Sequence, residues 1–315
     1  MLGRLVGERL AGAKSEDVWS SALRDLLSEC DAVVCNLECC ISDRGRRTNA
    51  IPGKPFFFRA PPVATGALVA AHVSVAGLAN NHALDFGPDA LTDTLTHLQG
   101  AGVEAVGAGA DEPSARRGVV VEAAGRRLGV VALSDHPRQY RATEDAKGIA
   151  YADLSRGAPD WVRDELTRLR ERADLLVAFP HWGPNMTVRP APSQRSCAAD
   201  LIDAGADIVA GHSAHVFHGI ERLERGLVLY DLGGAVDDYA VDAELRNDIG
   251  LLALWRPGSE PELDLVALRL DFCRTELADG SDADWVHSRL EHACGELGSR
   301  VERTAVQRFT VHAAR

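Results

Sequence analysis

The stretch HVSVAGLANNHALDFG, His72 to Gly87, decides how the rest of the chain is read. An apolar run with strand character, HVSVAGLA, stops at Asn80-Asn81-His82, and Asp85 follows three residues after the histidine. Asparagine favours turns and helix caps, so one reading is an ordinary strand exit. The other is a ligand-bearing strand end, where a sheet holds polar side chains rigidly and the following loop leaves them open.

Three further runs end alike. AVVCNLE ends at Glu38, LLVAFPHWG carries His181, and DIVAGHSAH ends with His212 and His215. Any one of these alone reads as a polar turn or as a carboxylate beside a loop arginine. Four such endings on one chain point to a shared site. Histidine, carboxylate and asparagine oxygen make a borderline to hard ligand set without thiolate, suited to Mn, Fe or Zn, with Mg also compatible. For phosphoryl chemistry, two ions about 3.5–4 Å apart clamp the attacking and leaving oxygens. His72, His97, His287, His292 and His312 fall in helices or tails and read as surface or packing residues. Cys39 and Cys40 read as small residues packed behind the site. GAGADEPSARRG, Gly107 to Gly118, lacks the full dinucleotide fingerprint.

The whole composition narrows the field. The 315 residues are 46% hydrophobic and 25% charged, enough for a globular core, and are expected to form one domain, 1–315. A formal net charge of -12 argues against a nucleic-acid binder or a surface that seeks anionic lipid. No run approaches the roughly 18 apolar residues of a membrane helix. The first residues, MLGRLVGERLAGAKSEDVW, lack the apolar centre of a signal peptide. The seven cysteines show no CxxC spacing. Free thiols in a reducing cytoplasm are the expectation.

Periodicity gives helices at Glu16–Glu29, across PVATGALVAA, across GPDALTDTLTHLQGAG, at Pro159–Arg172, across SQRSCAADLIDAG and at Asp282–Leu297 before a tail. A hairpin is expected over Gly118–Asp135, and GLVLYDLGGAVDDY reads as a strand with a glycine-rich exit. DIGLLALW and LDLVALRLDF read as antiparallel strands across the turn RPGSEPE. Ser42 to Pro62 is a basic loop rich in Gly and Pro. Alternating strand and helix followed by hairpins predicts an α+β fold of two packed sheets with outer helices.

Five motifs, in order, resemble those of the CapA family, the poly-γ-glutamate capsule-synthesis proteins of the calcineurin-like metallophosphoesterase superfamily. They are NLECCISDRG, LANNHALDFG, GVEAVGAGAD, HWG and AGHSAH…LVLYDLGG, and the resemblance runs from about Met1 to Asp238. It implies an αββα sandwich with a dinuclear metal site at the sheet ends. Glu38 matches the residue that bridges both metals. Asn81, His181, His212 and His215 match the other ligands. His82 matches the histidine that assists the leaving group, with Asp85 orienting it. Arg4 and Asn80 are the candidate contacts to an anionic substrate, small or polymeric, helped by the Arg44–Arg59 loop.

Three departures accompany the resemblance. Ser213 stands where relatives carry His. DLGGAVDD replaces a strand exit that reads like SLGNF. MLGR matches the middle of a motif whose preceding strand and Asp would lie upstream of residue 1. The expectation is a dinuclear site if that Asp exists and a mononuclear, weak one otherwise. A membrane anchor or signal could also lie in such a segment. The implied function is a metal-dependent hydrolase, a phosphoesterase first. The alternatives are a non-catalytic or regulatory component of a polymer-synthesis complex, and a hydrolase of γ-glutamyl amide bonds.

Overall fold

In the computed structural model, which describes residues 1–12, 14–258 and 261–313, the central strands of the largest sheet bury both of their faces. The strand Arg126–Ser134 shows why. Its Val130 and Ala132 belong to one core cluster, whereas Val131 and Leu133 belong to another. Strand Leu175–His181 divides the same way, Val177 and Phe179 against Leu176 and Ala178. A run apolar at every position is what a strand covered on both sides requires.

These two strands lie in a six-stranded sheet, ordered Ile220–Leu223, Gly226–Leu229, Ile208–Ala210, Leu175–His181, Arg126–Ser134, Val119–Ala123. Its four central strands are parallel, and an antiparallel partner closes each edge. A parallel three-stranded sheet, ordered Val33–Asn36, Val73–Gly77, Glu104–Val106, faces it. The approach is close. A Cβ at Gly77 would meet the Phe179 ring at 2.8 Å, and one at Gly107, where φ is +87°, would meet Ala132 at 2.8 Å. An antiparallel five-stranded sheet, built on Ile249–Arg256 and Glu262–Asp271, contributes Leu251, Leu265 and Ala267 to the same inner core.

Helices cover both outsides. Arg4–Gly12, Ser21–Ser28, Thr65–Ala70 and Gly87–Gly100 pack on the first layer through Val6, Leu23, Leu68 and Leu91. Asp160–Arg170 and Pro192–Asp203 cover the six-stranded sheet through Val162, Leu166, Cys197 and Leu201. The fold is therefore α+β, with two sheet layers packed between helices.

Several boundaries differ from expectation. The helix placed over Glu16–Glu29 breaks at Trp19, because the Ser20 hydroxyl caps Ser21–Ser28 by accepting from Leu23 N at 3.2 Å. MLGR leads directly into the helix Arg4–Gly12. The last helix runs Gly280–Gly295, and the tail after it is an antiparallel hairpin of Ser299–Ala305 and Arg308–Ala313. Ile220–Leu223 is a further strand, paired with Gly226–Leu229. The turn RPGSEPE includes residues 259 and 260, which lie outside the described residues. All seven cysteines are free. Among the described residues, no helix is long and apolar enough to cross a membrane.

Candidate active site

Parallel strands bring their carboxyl ends to one side of a sheet, where α/β sites are built. Val33–Asn36 delivers Glu38, and Val73–Gly77 delivers Asn80, Asn81 and His82. Across the sandwich, Leu175–His181 ends at its histidine, which bridges to His212 beyond Ile208–Ala210.

The first group is densely bonded. Asp85 is fully buried and accepts four hydrogen bonds. Its Oδ2 takes His82 Nδ1 at 2.6 Å and Phe58 N at 2.7 Å. Its Oδ1 takes Lys54 Nζ at 2.5 Å and Tyr140 Oη at 3.1 Å. Lys54 also donates to the Asn81 carbonyl. Phe58 lies edge-on to the His82 ring, with centroids 4.5 Å apart. Held through Nδ1, His82 has only Nε2 free, 4.0 Å from Glu38 Oε1. His215 Nε2 approaches the same oxygen at 3.9 Å.

Asn80 takes a place other than the one expected. Its side chain is wholly buried, donating to Asn36 Oδ1 and Leu37 O, both at 2.9 Å, and accepting from His82 N at 3.0 Å. It braces the loop that carries His82 and leaves no free group for a substrate. Arg4 is tethered through one nitrogen, and its side chain remains 36% exposed. Its Nε pairs with Asp238 at 3.2 Å, and its guanidinium lies over the Phe58 ring at 5.5 Å.

The second group is less satisfied. His181 and His212 meet through their Nδ1 atoms at 2.8 Å, and the Nε2 of each is buried without a partner. Glu38 Oε1 and Asn81 Oδ1 are in the same condition. Burial holds His212 and His215 down to about 3 and His181 well below its ordinary value, so all three rings keep a lone pair at neutral pH. Burial also pushes Glu38 up to about 8. These are neutral histidines and a carboxylate short of positive charge, the electrostatic setting a cation would relieve. Among the described residues, no three His, Cys, Asp or Glu side chains close up around an ion position as they stand. The donor atoms are divided between the two groups.

The last histidine loop is strained. Ser213 has φ 131°, backbone that L side chains rarely adopt, and His215 lies in the left-handed region at φ 58°. Asp231, also pushed up by burial to about 7, accepts from Ala214 N and Gly233 N, both at 2.7 Å, and so pins this loop. Ser213, at the position of one departure, donates its hydroxyl to Gly183 O at 3.1 Å and ties the two histidine segments together.

Sequence reasoning passed over Lys54, Tyr140, Asp231 and the pair Asp135-His136. His136 lies beside His181, with ring centroids 4.9 Å apart, and follows a strand as the other site histidines do. The strand-end rule would have found it. Lys54 gave no local signal, standing in a loop whose other cations face outward. Of these, Arg44 pairs with Asp93, and Arg59 stacks on Phe86 at 4.3 Å.

The chain matches the family described as bacterial capsule synthesis protein PGA_cap over residues 1–239, and it belongs to that family. It is 34% identical over 298 residues to a probable polyglutamine synthesis accessory protein of Mycobacterium tuberculosis, spanning 90% of this chain and 78% of that one. It is 31% identical over 170 residues to capsule biosynthesis protein CapA of Bacillus anthracis, which covers 52% of this chain and 40% of the relative. A hypothetical protein from Thermus thermophilus, known as a crystal structure, aligns with TM-score 0.40 and 17% identity over 80% of this chain and 87% of that one.

Proposed function

We propose that this member of the bacterial capsule-synthesis family is a metal-dependent hydrolase of the phosphoesterase type. One observation carries the reading. Of the seven buried side-chain atoms without a partner among the described residues, four are Glu38 Oε1, Asn81 Oδ1, His181 Nε2 and His212 Nε2. Native proteins leave few such atoms, and each calls for an explanation. These four are nitrogen and oxygen atoms of the kind Mn, Fe, Zn or Mg accepts; an ion that took both Nε2 atoms would replace the Nδ1–Nδ1 hydrogen bond of the two rings, since a neutral imidazole has one lone-pair nitrogen.

Glu38, Asn81, His181 and His212, with His215, would hold the ion. When bound, such an ion generates a strong nucleophile from water near neutral pH and withdraws charge from a phosphoryl oxygen. The chain supplies the rest. Asp85 fixes the ring of His82, and His82 Nε2 is the atom placed to hand a proton to a departing oxygen. Phe58 and the buried loops keep solvent from the ring. An anionic phosphate ester suits a site lined by neutral rings and a cation.

A second reading is an accessory component without catalysis, and the name of the mycobacterial relative favours it. The test compares hydrolysis of phosphate esters and of γ-glutamyl peptides by protein supplied with Mn or Zn, alongside His82→Ala. Ester hydrolysis that falls in the variant while metal is retained supports the proposal. Cleavage of only γ-glutamyl peptides would move the chemistry to amides. Stable metal binding without turnover of either substrate would leave the accessory reading in its place.

A further inference from the structure

We propose that Lys54 and Tyr140 are positioning residues, which lock the Asp85–His82 pair in the orientation that hydrolysis needs. This deepens the hydrolase reading and rests on it. Neither residue donates a hydrogen bond to Glu38. Both act on Asp85 Oδ1, the oxygen opposite the one that holds His82.

The geometry argues for more than loop stability. A carboxylate that bears a histidine on one oxygen can still rotate about its own axis and carry the ring with it. Here each oxygen accepts two donors, from four separate points: Phe58 N, His82, Lys54 and Tyr140. Rotation would break all four bonds together. Lys54 adds a second constraint, because the same ammonium holds the Asn81 carbonyl. One side chain therefore fixes the orienting carboxylate and the backbone between the proposed ligand Asn81 and His82. Its side chain is only 8% exposed, so it reaches this position by giving up solvent. The Lys54 ammonium also lies over the Tyr140 ring at 5.1 Å, which couples the two donors. Three chain segments separated in sequence, around residues 54, 81–85 and 140, thus converge on one carboxylate.

Removing an outer partner of this kind typically costs about 10–100-fold in activity. The test uses the full chain with Mn and bis-p-nitrophenyl phosphate, in Lys54→Met, Tyr140→Phe, Asp85→Asn and the Lys54→Met/Asp85→Asn double variant. Lys54→Met should lower kcat about 10-fold or more at nearly constant KM. Tyr140→Phe, a milder change that keeps the ring, should lower it about threefold to tenfold. The double variant should lose far less than the product of the two single losses, because most of the effect of Lys54 passes through Asp85. Independently of turnover, ring-nitrogen NMR of histidine-labelled, metal-free protein should show His82 protonated at Nδ1 in wild type and a mixture of tautomers in Lys54→Met. Multiplicative losses in the double variant, or an unchanged tautomer and kcat in Lys54→Met, would overturn the proposal. If wild type hydrolyses no ester, the hydrolase reading fails, while the NMR comparison still decides the positioning role.

Discussion

The two halves of the site differ in how their polar atoms are spent. Around Asp85 and Asn80 every donor finds an acceptor within the protein, and the group is rigid. Around His181 and His212 the outward nitrogens find none, and Glu38 Oε1 and Asn81 Oδ1 share that condition. Protein atoms satisfied by protein set positions. Buried atoms left unsatisfied carry a desolvation cost of about 1–3 kcal/mol each unless something outside the chain meets them. The contrast separates a positioning half from a receiving half.

That division can be broken by experiment. The largest effect is expected at the link between the halves. His82→Ala should lower kcat about 10²–10⁴-fold and leave bound metal in place. Loss of metal in that variant would move His82 into the receiving half. Asp85→Asn strikes the positioning half. It leaves the Lys54 ammonium buried beside a neutral amide, and breaking a buried pair costs about 3–5 kcal/mol. Urea unfolding should show that loss with an unchanged slope.

The receiving half predicts a dependence on pH in metal-free protein. His212 and His215 sit at about 3 in the fold against 6.5 free, so the unfolded chain binds more protons between those values. Stability is full above 6.5 and falls as pH drops toward 3. Glu38 acts in the opposite sense. Its folded value of about 8 against 4.5 means that stability falls as pH rises across that window. Thermal melts should decline toward both ends. Replacing His212 and His215 by Asn should flatten the acid side, and Glu38→Gln the alkaline side. The smallest effect is expected at Asn80→Ala, about 1–3 kcal/mol for the groups left unpaired, with little change in KM. A large rise in KM would return Asn80 to the substrate.

Much of this was legible in the sequence because strand ends announce themselves. An apolar run that stops at His, Glu or Asn marks a sheet edge, and the four such edges do lie at one end of the sandwich. The same rule covers Asp135-His136, which follow the strand Arg126–Ser134. Lys54 was illegible because its neighbours Arg44, Arg46 and Arg47 are solvent-facing cations, and only the tertiary fold turns this one inward. Asn80 reads in the sequence as a contact, because the hydrogen bonds that bury its amide exist only in the fold. The C-terminal hairpin was missed although Val301, Phe309 and Val311 alternate with polar residues. Its strands, Ser299–Ala305 and Arg308–Ala313, carry few apolar residues among many charged ones and follow a strong helix pattern, which leaves a weak signal.

The measurement that tests the central claim most directly is metal content per chain, by elemental analysis after exhaustive dialysis. It compares wild type with the His181→Ala/His212→Ala variant, both shown to be folded. Wild type should retain at least one divalent ion, and the variant should lose it. Folded wild type that holds no ion, even when resupplied with Mn, Fe, Zn or Mg, would contradict it.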